Sequence, residues 1–290
     1  MTAGGVHWLA SYPKSGNTWV RIALASLVKG GRLPDLARGT ELCPNAAALV
    51  WMEEVLDLPV VDMTTEEQAL MRTEACRLYP TAARPPAILK IHDSYDPSLL
   101  APVPCAGTIL IVRDPRDVVP SLADHLSIGI DDAIARMGCP RFTISSRGAK
   151  PPIHALQRLG DWSANVRSWL DEAPGAKLLL RYEDMLAAPA ASFEALVRFT
   201  GLQVDTAVIR ESVAATSFES LRAEEARSGF SERRHNQKAF FRQGQAGTWR
   251  QSLSAAQAER VWNDHQAIMM RLGYRDDGTI ADLPAGMQAS

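Results

Sequence analysis

The stretch Tyr12–Trp19, YPKSGNTW, constrains what this chain can fold into more than any other. It follows a short apolar run, Val6–Ala10, and precedes a segment whose Val20, Ala23, Leu24, Leu27 and Val28 fall on one helical face, so it reads as a strand-to-helix turn. In such a turn successive backbone N–H groups and the helix start point at one place. Gly16 permits close backbone approach, and Lys14, Ser15, Asn17 and Thr18 add a charge and three polar side chains. The implied ligand is an anion, a phosphate above all. An ordinary connection with a Pro, a Gly and a capping Thr is the blander possibility, but it has no need of an unbroken polar and glycine run after a buried strand. A Walker A loop is excluded, because there the Lys follows the second Gly, whereas Lys14 precedes Gly16.

At 290 residues the chain is long enough for one large α/β domain with an ample core, and no shift in composition marks a boundary. A net charge of −2 argues against general binding to nucleic acid or anionic membrane, so any basic site is local. The cysteines, Cys43, Cys76, Cys105 and Cys139, are widely spaced with no C-x-x-C pair, and read as reduced core thiols rather than a zinc site or a disulfide framework. The start of the chain lacks the basic and apolar regions of a signal peptide, and no apolar run reaches the roughly 20 residues of a membrane span. A cytoplasmic protein is expected.

Further apolar runs at Ala87–Ile91, Thr108–Val112 and Lys177–Arg181 predict three more strands, each ending in polar residues. The first runs into Lys90, Ile91, His92 and Asp93; a lone His there is either a satisfied structural residue or a base. The second passes into Arg113-Asp114-Pro115-Arg116-Asp117 and a helix to about Ile128 that Pro120 should kink beside Ser121. That basic and acidic run is either a solvated helix start or a ligand for an anion. The third leads into Tyr182-Glu183-Asp184-Met185.

Helices are also predicted near Ala46–Leu56, from Thr64 or Thr65 to Tyr79 with closure at Pro80, at Asp131–Met137 and along Ile153–Leu170. Others follow at Ala190–Thr200, where Gly201 stops the helix, and at Thr206–Ala215. Trp162 and Trp169 fall on the inner face of the Ile153–Leu170 pattern and read as core. A capping box, Ser254 with Gln257, opens the last helix, Gly273 ends it, and the tail after Asp276 looks frayed. Strands alternating with helices predict an α/β fold with a mainly parallel sheet.

Taken together, the phosphate turn, Lys90-x-His92, Arg113-x7-Ser121, Y-E-D-M with Thr216-Ser217-Phe218, and Arg242-Gln243-Gly244-Gln245-Ala246-Gly247-Thr248-Trp249 resemble, in order, the signatures of sulfotransferases that use 3′-phosphoadenosine 5′-phosphosulfate. The resemblance covers about Val6 to Tyr274; the first and last motifs are the specific ones. It implies a P-loop-like sulfotransferase fold and transfer of a sulfuryl group to a hydroxyl or amine of a small molecule, without a metal, by a monomer or homodimer. His92 is then the base, and Lys14 and Lys90 stabilise the leaving phosphate and the transferring group. Ser15, Gly16, Asn17 and Thr18 hold the 5′-phosphate, with Trp19 near the adenine. Arg113, Ser121, Arg242, Gln243 and Gly244 hold the 3′-phosphate; Tyr182, Thr216, Ser217 and Phe218 contact the adenosine. Gln243 stands where the family has Lys, which removes a charge from the clamp unless Arg234 or Lys238 restores it.

Two alternatives stay open on the sequence: a nucleoside-triphosphate-dependent phosphotransferase, and a nucleotide-binding protein that has kept the fold without the chemistry. The basic segment Gly229–Thr248, with few apolar anchors beyond Phe230, Phe240 and Phe241, is expected to be a flap ordered by the nucleotide.

Overall fold

The computed structural model describes residues 4–37, 42–82, 86–145, 152–233, 239–242 and 244–283. Among them, strands β1 (Val6–Ser11), β2 (Ile88–Ile91), β3 (Cys105–Val112), β4 (Thr143–Ile144), β5 (Gln157–Arg158) and β6 (Lys177–Arg181) form two sheets. β1, β2, β3 and β6 make one sheet in the order β2-β1-β3-β6, with every neighbouring pair parallel; β4 and β5 make a small antiparallel pair.

Both faces of the parallel sheet are covered, which is why its strands are almost continuously apolar. Leu9, Ile109, Ile111, Leu178 and Leu180 face Val20, Ala23, Leu24 and Leu27 of the Asn17–Val28 helix and Phe193 of the Pro189–Thr200 helix. On the other face Trp8, Ala10, Leu110, Val112 and Leu179 meet Val118, Val119 and Leu122 of the Pro115–Leu126 helix, Trp162 and Trp169, and the long Ala255–Arg271 helix. The helices that follow β1 and β3 therefore leave on opposite faces of adjacent strands. Their connecting loops diverge at the carboxyl edge, which is where a crevice opens in sheets of this kind. Register completes the arrangement: Ala10 pairs with Ile91 and Ser11 with Ile111, so His92 and Arg113 emerge on either side of the turn that follows β1.

Several expectations need correcting. Val28 is half exposed and leaves the apolar face assigned to it. Pro80 does not close its helix, which runs Thr65–Ala82; so near the end, proline costs one backbone hydrogen bond without stopping the chain. The Ile153–Leu170 pattern is helical only from Trp162, because Ala155 N donates to Ala47 O, β5 pairs with β4, and the Asp161 side chain caps Ala164 N. The helix continues as a π-turn at Ser168–Glu172. A helix at Phe218–Ser228 was not expected.

The tail is held as far as Leu283, where description ends: Tyr274 bridges Ile280, Arg116 donates to the Arg275 and Asp276 carbonyls, and Arg181 donates to the Ala281 carbonyl. Among the described residues no helix is long and apolar enough to cross a membrane.

Candidate active site

The turn between β1 and the Asn17–Val28 helix is shaped by its own backbone. Lys14 and Gly16 both take positive φ, 71° and 104°, and Gly16 lies so close to Tyr182 that a Cβ there would be 2.7 Å from the ring. Only glycine fits that approach. Tyr182 is fixed in turn by the Arg113 guanidinium, 4.4 Å from its ring centre, and by Trp19 edge-on at 6.1 Å. Arg113 donates to the carbonyls of Lys14 (3.4 Å) and Gln245 (3.1 Å), tying the third strand's end to the first and last motifs.

Ser15 Oγ and Arg113 Nε are buried donors without a hydrogen-bond partner among the described residues. Leaving such a group unpaired costs about 1–3 kcal/mol, so each fits a bound anion, Ser15 on the turn and Arg113 beside it. Lys14 Nζ lies 4.8 Å from the Phe240 ring centre. Its ammonium is lowered to about 8 by desolvation and by Arg242, Arg113 and Lys90, with Asp124 pulling the other way. A site that so disfavours its own cations has room for negative charge.

At the end of β2, His92 is locked in one orientation. Its Nδ1 lies 2.8 Å from the Ser11 carbonyl oxygen and 3.2 Å from Ser11 Oγ. A carbonyl can only accept, so that contact assigns the proton to Nδ1 and leaves the Nε2 lone pair available. Desolvation, then Lys90, Arg21 and His125, lower the pKa of His92 well below the ordinary value against the opposing Ser11 bond. The backbone around it is pinned: Asn165 Nδ2 donates to the His92 carbonyl, Trp169 Nε1 to that of Asp93, and the buried Asp93 carboxylate pairs with Arg72 at 2.6 Å. Lys90 is lowered to about 8 by desolvation and Arg21, with Glu232 opposing.

Not every expected ligand turns toward the crevice. Asn17 sends its amide back to Leu9 O and Ser11 Oγ, both at 3.2 Å, so its side chain braces the strand that holds His92 and leaves the backbone N–H as its group toward an anion. Thr18 Oγ1 points at Glu232 (3.5 Å). Thr216 is fully buried, its hydroxyl bonded to Ser212 O and its carbonyl to Trp19 Nε1. Ser217 caps the Phe218–Ser228 helix. Phe218 instead packs against Gly244, which has φ 59° and no room for a Cβ, so the T-S-F and last motifs do meet. Ser121 is half-buried one turn before Asp124, whose carboxylate holds Arg242 Nη1 at 2.9 Å. Gln243, Arg234 and Lys238 lie outside the described residues.

The sulfotransferase domain family model matches residues 6–273. The chain belongs to the sulfotransferase family. Among its relatives, rat sulfotransferase 1A1 is 25% identical over 90% of this chain and 83% of its own length. Cytosolic sulfotransferase 16 of Arabidopsis thaliana is 26% identical over 87% and 72%. The fold matches a mouse sulfotransferase complexed with PAP (TM-score 0.56, 20% identity, 93% of this chain and 86% of that one). It also matches retinol dehydratase in complex with androsterone and the inactive cofactor PAP (0.57, 19%, 93% and 82%).

The structure of this sulfotransferase also shows what motif reading missed. Asp117 accepts Gly247 N (2.6 Å), Trp249 N (2.8 Å) and Thr248 Oγ1 (3.1 Å), and so shapes the last signature loop. The Glu225 carboxylate accepts Phe240 N and Phe241 N, and both phenylalanines pack with Phe230 on Ile22, Leu36 and Leu221. The described ends of the expected flap are therefore anchored. The one signal for Asp117 was a second acid one turn into the helix; Glu225 had none.

Proposed function

We propose that this sulfotransferase moves a sulfuryl group from 3′-phosphoadenosine 5′-phosphosulfate to a hydroxyl or amine of a small-molecule acceptor, with His92 as the general base. The observation that carries the reading is the Ser11 carbonyl fixing the His92 tautomer beside Lys90 and Lys14, at the edge of an anion-binding turn. When bound, the nucleotide supplies an electrophilic sulfuryl group carried on its 5′-phosphate.

Each side chain then has a task its geometry supports. The backbone N–H groups of the turn and Ser15 Oγ hold the 5′-phosphate, while Arg113, Ser121, Arg242 and the Gly244 backbone hold the 3′-phosphate. Phe218 and Trp19 offer aromatic surface to the base, with Tyr182 backing the turn. His92 Nε2 takes the proton of the acceptor as it attacks, and the neutral imidazole is the form its surroundings favour. Lys14 and Lys90 set positive charge where charge accumulates as the phosphate departs. Catalysis on this account is positioning and electrostatics.

Family membership does not favour the phosphotransferase alternative. The reading is tested by offering phenols, alcohols, amines and glycosylated natural products with the radiolabelled sulfuryl donor. Label should appear on an acceptor and depend on His92; failure across every class, with the nucleotide demonstrably bound, would overturn it.

A further inference from the structure

Glu232 is the sole acid of the basic stretch between Arg227 and Gln251. Its backbone neighbours are held on both sides: Phe230 is buried, Ser231 N donates to Leu36 O, and Arg233 N donates to Phe230 O. Arg233 turns away to Glu225. The Glu232 side chain instead reaches the Asn17–Val28 helix, where Oε1 lies 2.7 Å from Arg21 Nη1 and Oε2 lies 3.5 Å from Thr18 Oγ1. Arg21 is itself buried, with Nε donating to Cys43 O. This crossing joins the segment before the last motif to the helix that the phosphate turn starts.

The charges around it are mostly of one sign. Arg21 opposes the charge of Lys90, and Lys90, Arg21 and His125 all oppose a charge on His92; Lys14 is opposed by Arg242, Arg113 and Lys90. Asp124 serves Lys14 and Arg242. Glu232 is the carboxylate that faces Arg21 and Lys90.

We propose that Glu232 is a positioning residue for the transfer reaction: held against Arg21 and Thr18, it supplies the counter-charge to the cations gathered around His92. The proposal rests on the role given above to Lys90 and His92. Desolvation pushes the Glu232 carboxyl up, but Arg21, Lys90 and Thr18 together hold it below the ordinary value, so it is charged at neutral pH. Desolvation and Arg21 push Lys90 down, and Glu232 pulls it back. Removing Glu232 leaves both downward influences unopposed; removing Arg21 leaves only desolvation for Glu232 to oppose. The two single changes therefore move Lys90 in opposite directions, which a merely structural ion pair would not do.

The test follows the Lys90 13Cε resonance of the 13C-lysine-labelled full chain through a pH titration, assigned by its loss in Lys90→Arg. In Glu232→Gln the midpoint should fall by about one pH unit, in Arg21→Gln it should rise, and in the double variant it should return close to the starting value. The alkaline limb of kcat should track it, with KM for the nucleotide changing less, and Glu232→Asp should recover part of the shift. Midpoints that move the same way in both single variants, or not at all, overturn the proposal. So does a wild-type limb that ignores a shifted midpoint. Should Glu232→Gln not fold, Glu232→Asp and Arg21→Gln decide by the same midpoints, the first moving down and the second up. A titration that behaves as described in a chain showing no sulfuryl transfer would overturn the catalytic reading and the positioning role with it, while the charge coupling stood.

Discussion

Gly16→Ala probes the anion turn where its geometry is least forgiving. The residue sits at φ 104°, where an L side chain is strained by about 1–3 kcal/mol. The added methyl would also meet Tyr182 Cδ2 at 2.7 Å, inside the 3.5–4.0 Å of favourable carbon contact. Tyr182 has little freedom to retreat, since Arg113 and Trp19 pack on it. Overpacking of this kind adds about 1–3 kcal/mol, so roughly 3 kcal/mol in all is reasonable.

If the binding-competent turn bears that cost, affinity for 3′-phosphoadenosine 5′-phosphate falls about 150-fold. If the whole fold bears it, about 0.6 kcal/mol per degree of unfolding entropy for a chain of 290 residues gives a loss of about 5 °C in Tm. Titration calorimetry and thermal denaturation separate the two. In a Tyr182→Ala background the steric part should vanish and the loss should shrink to that of the backbone strain. Wild-type affinity and Tm in Gly16→Ala, or the same loss with and without the Tyr182 ring, would refute the argument.

Arg113→Ala should weaken 3′-phosphoadenosine 5′-phosphate by about 1.5–3 kcal/mol while affecting adenosine 5′-phosphate much less; equal losses in calorimetry remove Arg113 from the 3′-phosphate. Asp124→Asn should free Arg242 and tighten the 3′-phosphorylated nucleotide by at most about fivefold, as suits a half-exposed ion pair, and unchanged or weaker binding contradicts that. The pH profile of kcat/KM should be a bell. His92 must be neutral to accept a proton and its pKa is lowered, so the acid limb should fall below pH 6.5; Lys14 and Lys90 must be charged and sit at about 8, so activity should decline through that pH. An acid limb above 6.5 would count against His92.

What could be read in the sequence was what short stretches determine. The four parallel strands, the strand-to-helix turn after β1 and the capping box opening the last helix depend on runs of a few residues, and the structure has them close to where they were expected. What could not be read depends on partners far along the chain. The Ile153–Leu170 pattern looked helical throughout, yet Ala155 is claimed by Ala47 and β5 by β4. Asn17 has the right chemistry for a phosphate but spends its amide on β1. The hydroxyls of Thr216 and Ser217 are captured by nearby groups, as short polar side chains often are. Glu232, an oddity in a basic run, gained meaning only when it met Arg21.

The most direct test of the central claim compares His92→Ala with the native chain in two measurements on the same preparation: sulfuryl transfer from the radiolabelled donor to an acceptor, and calorimetric binding of 3′-phosphoadenosine 5′-phosphate. On the proposed role His92 acts on the acceptor proton, and its Nδ1 is engaged by the Ser11 carbonyl, so transfer should drop by at least about a hundredfold while nucleotide affinity changes little. Near-normal turnover of His92→Ala at neutral pH would contradict the account.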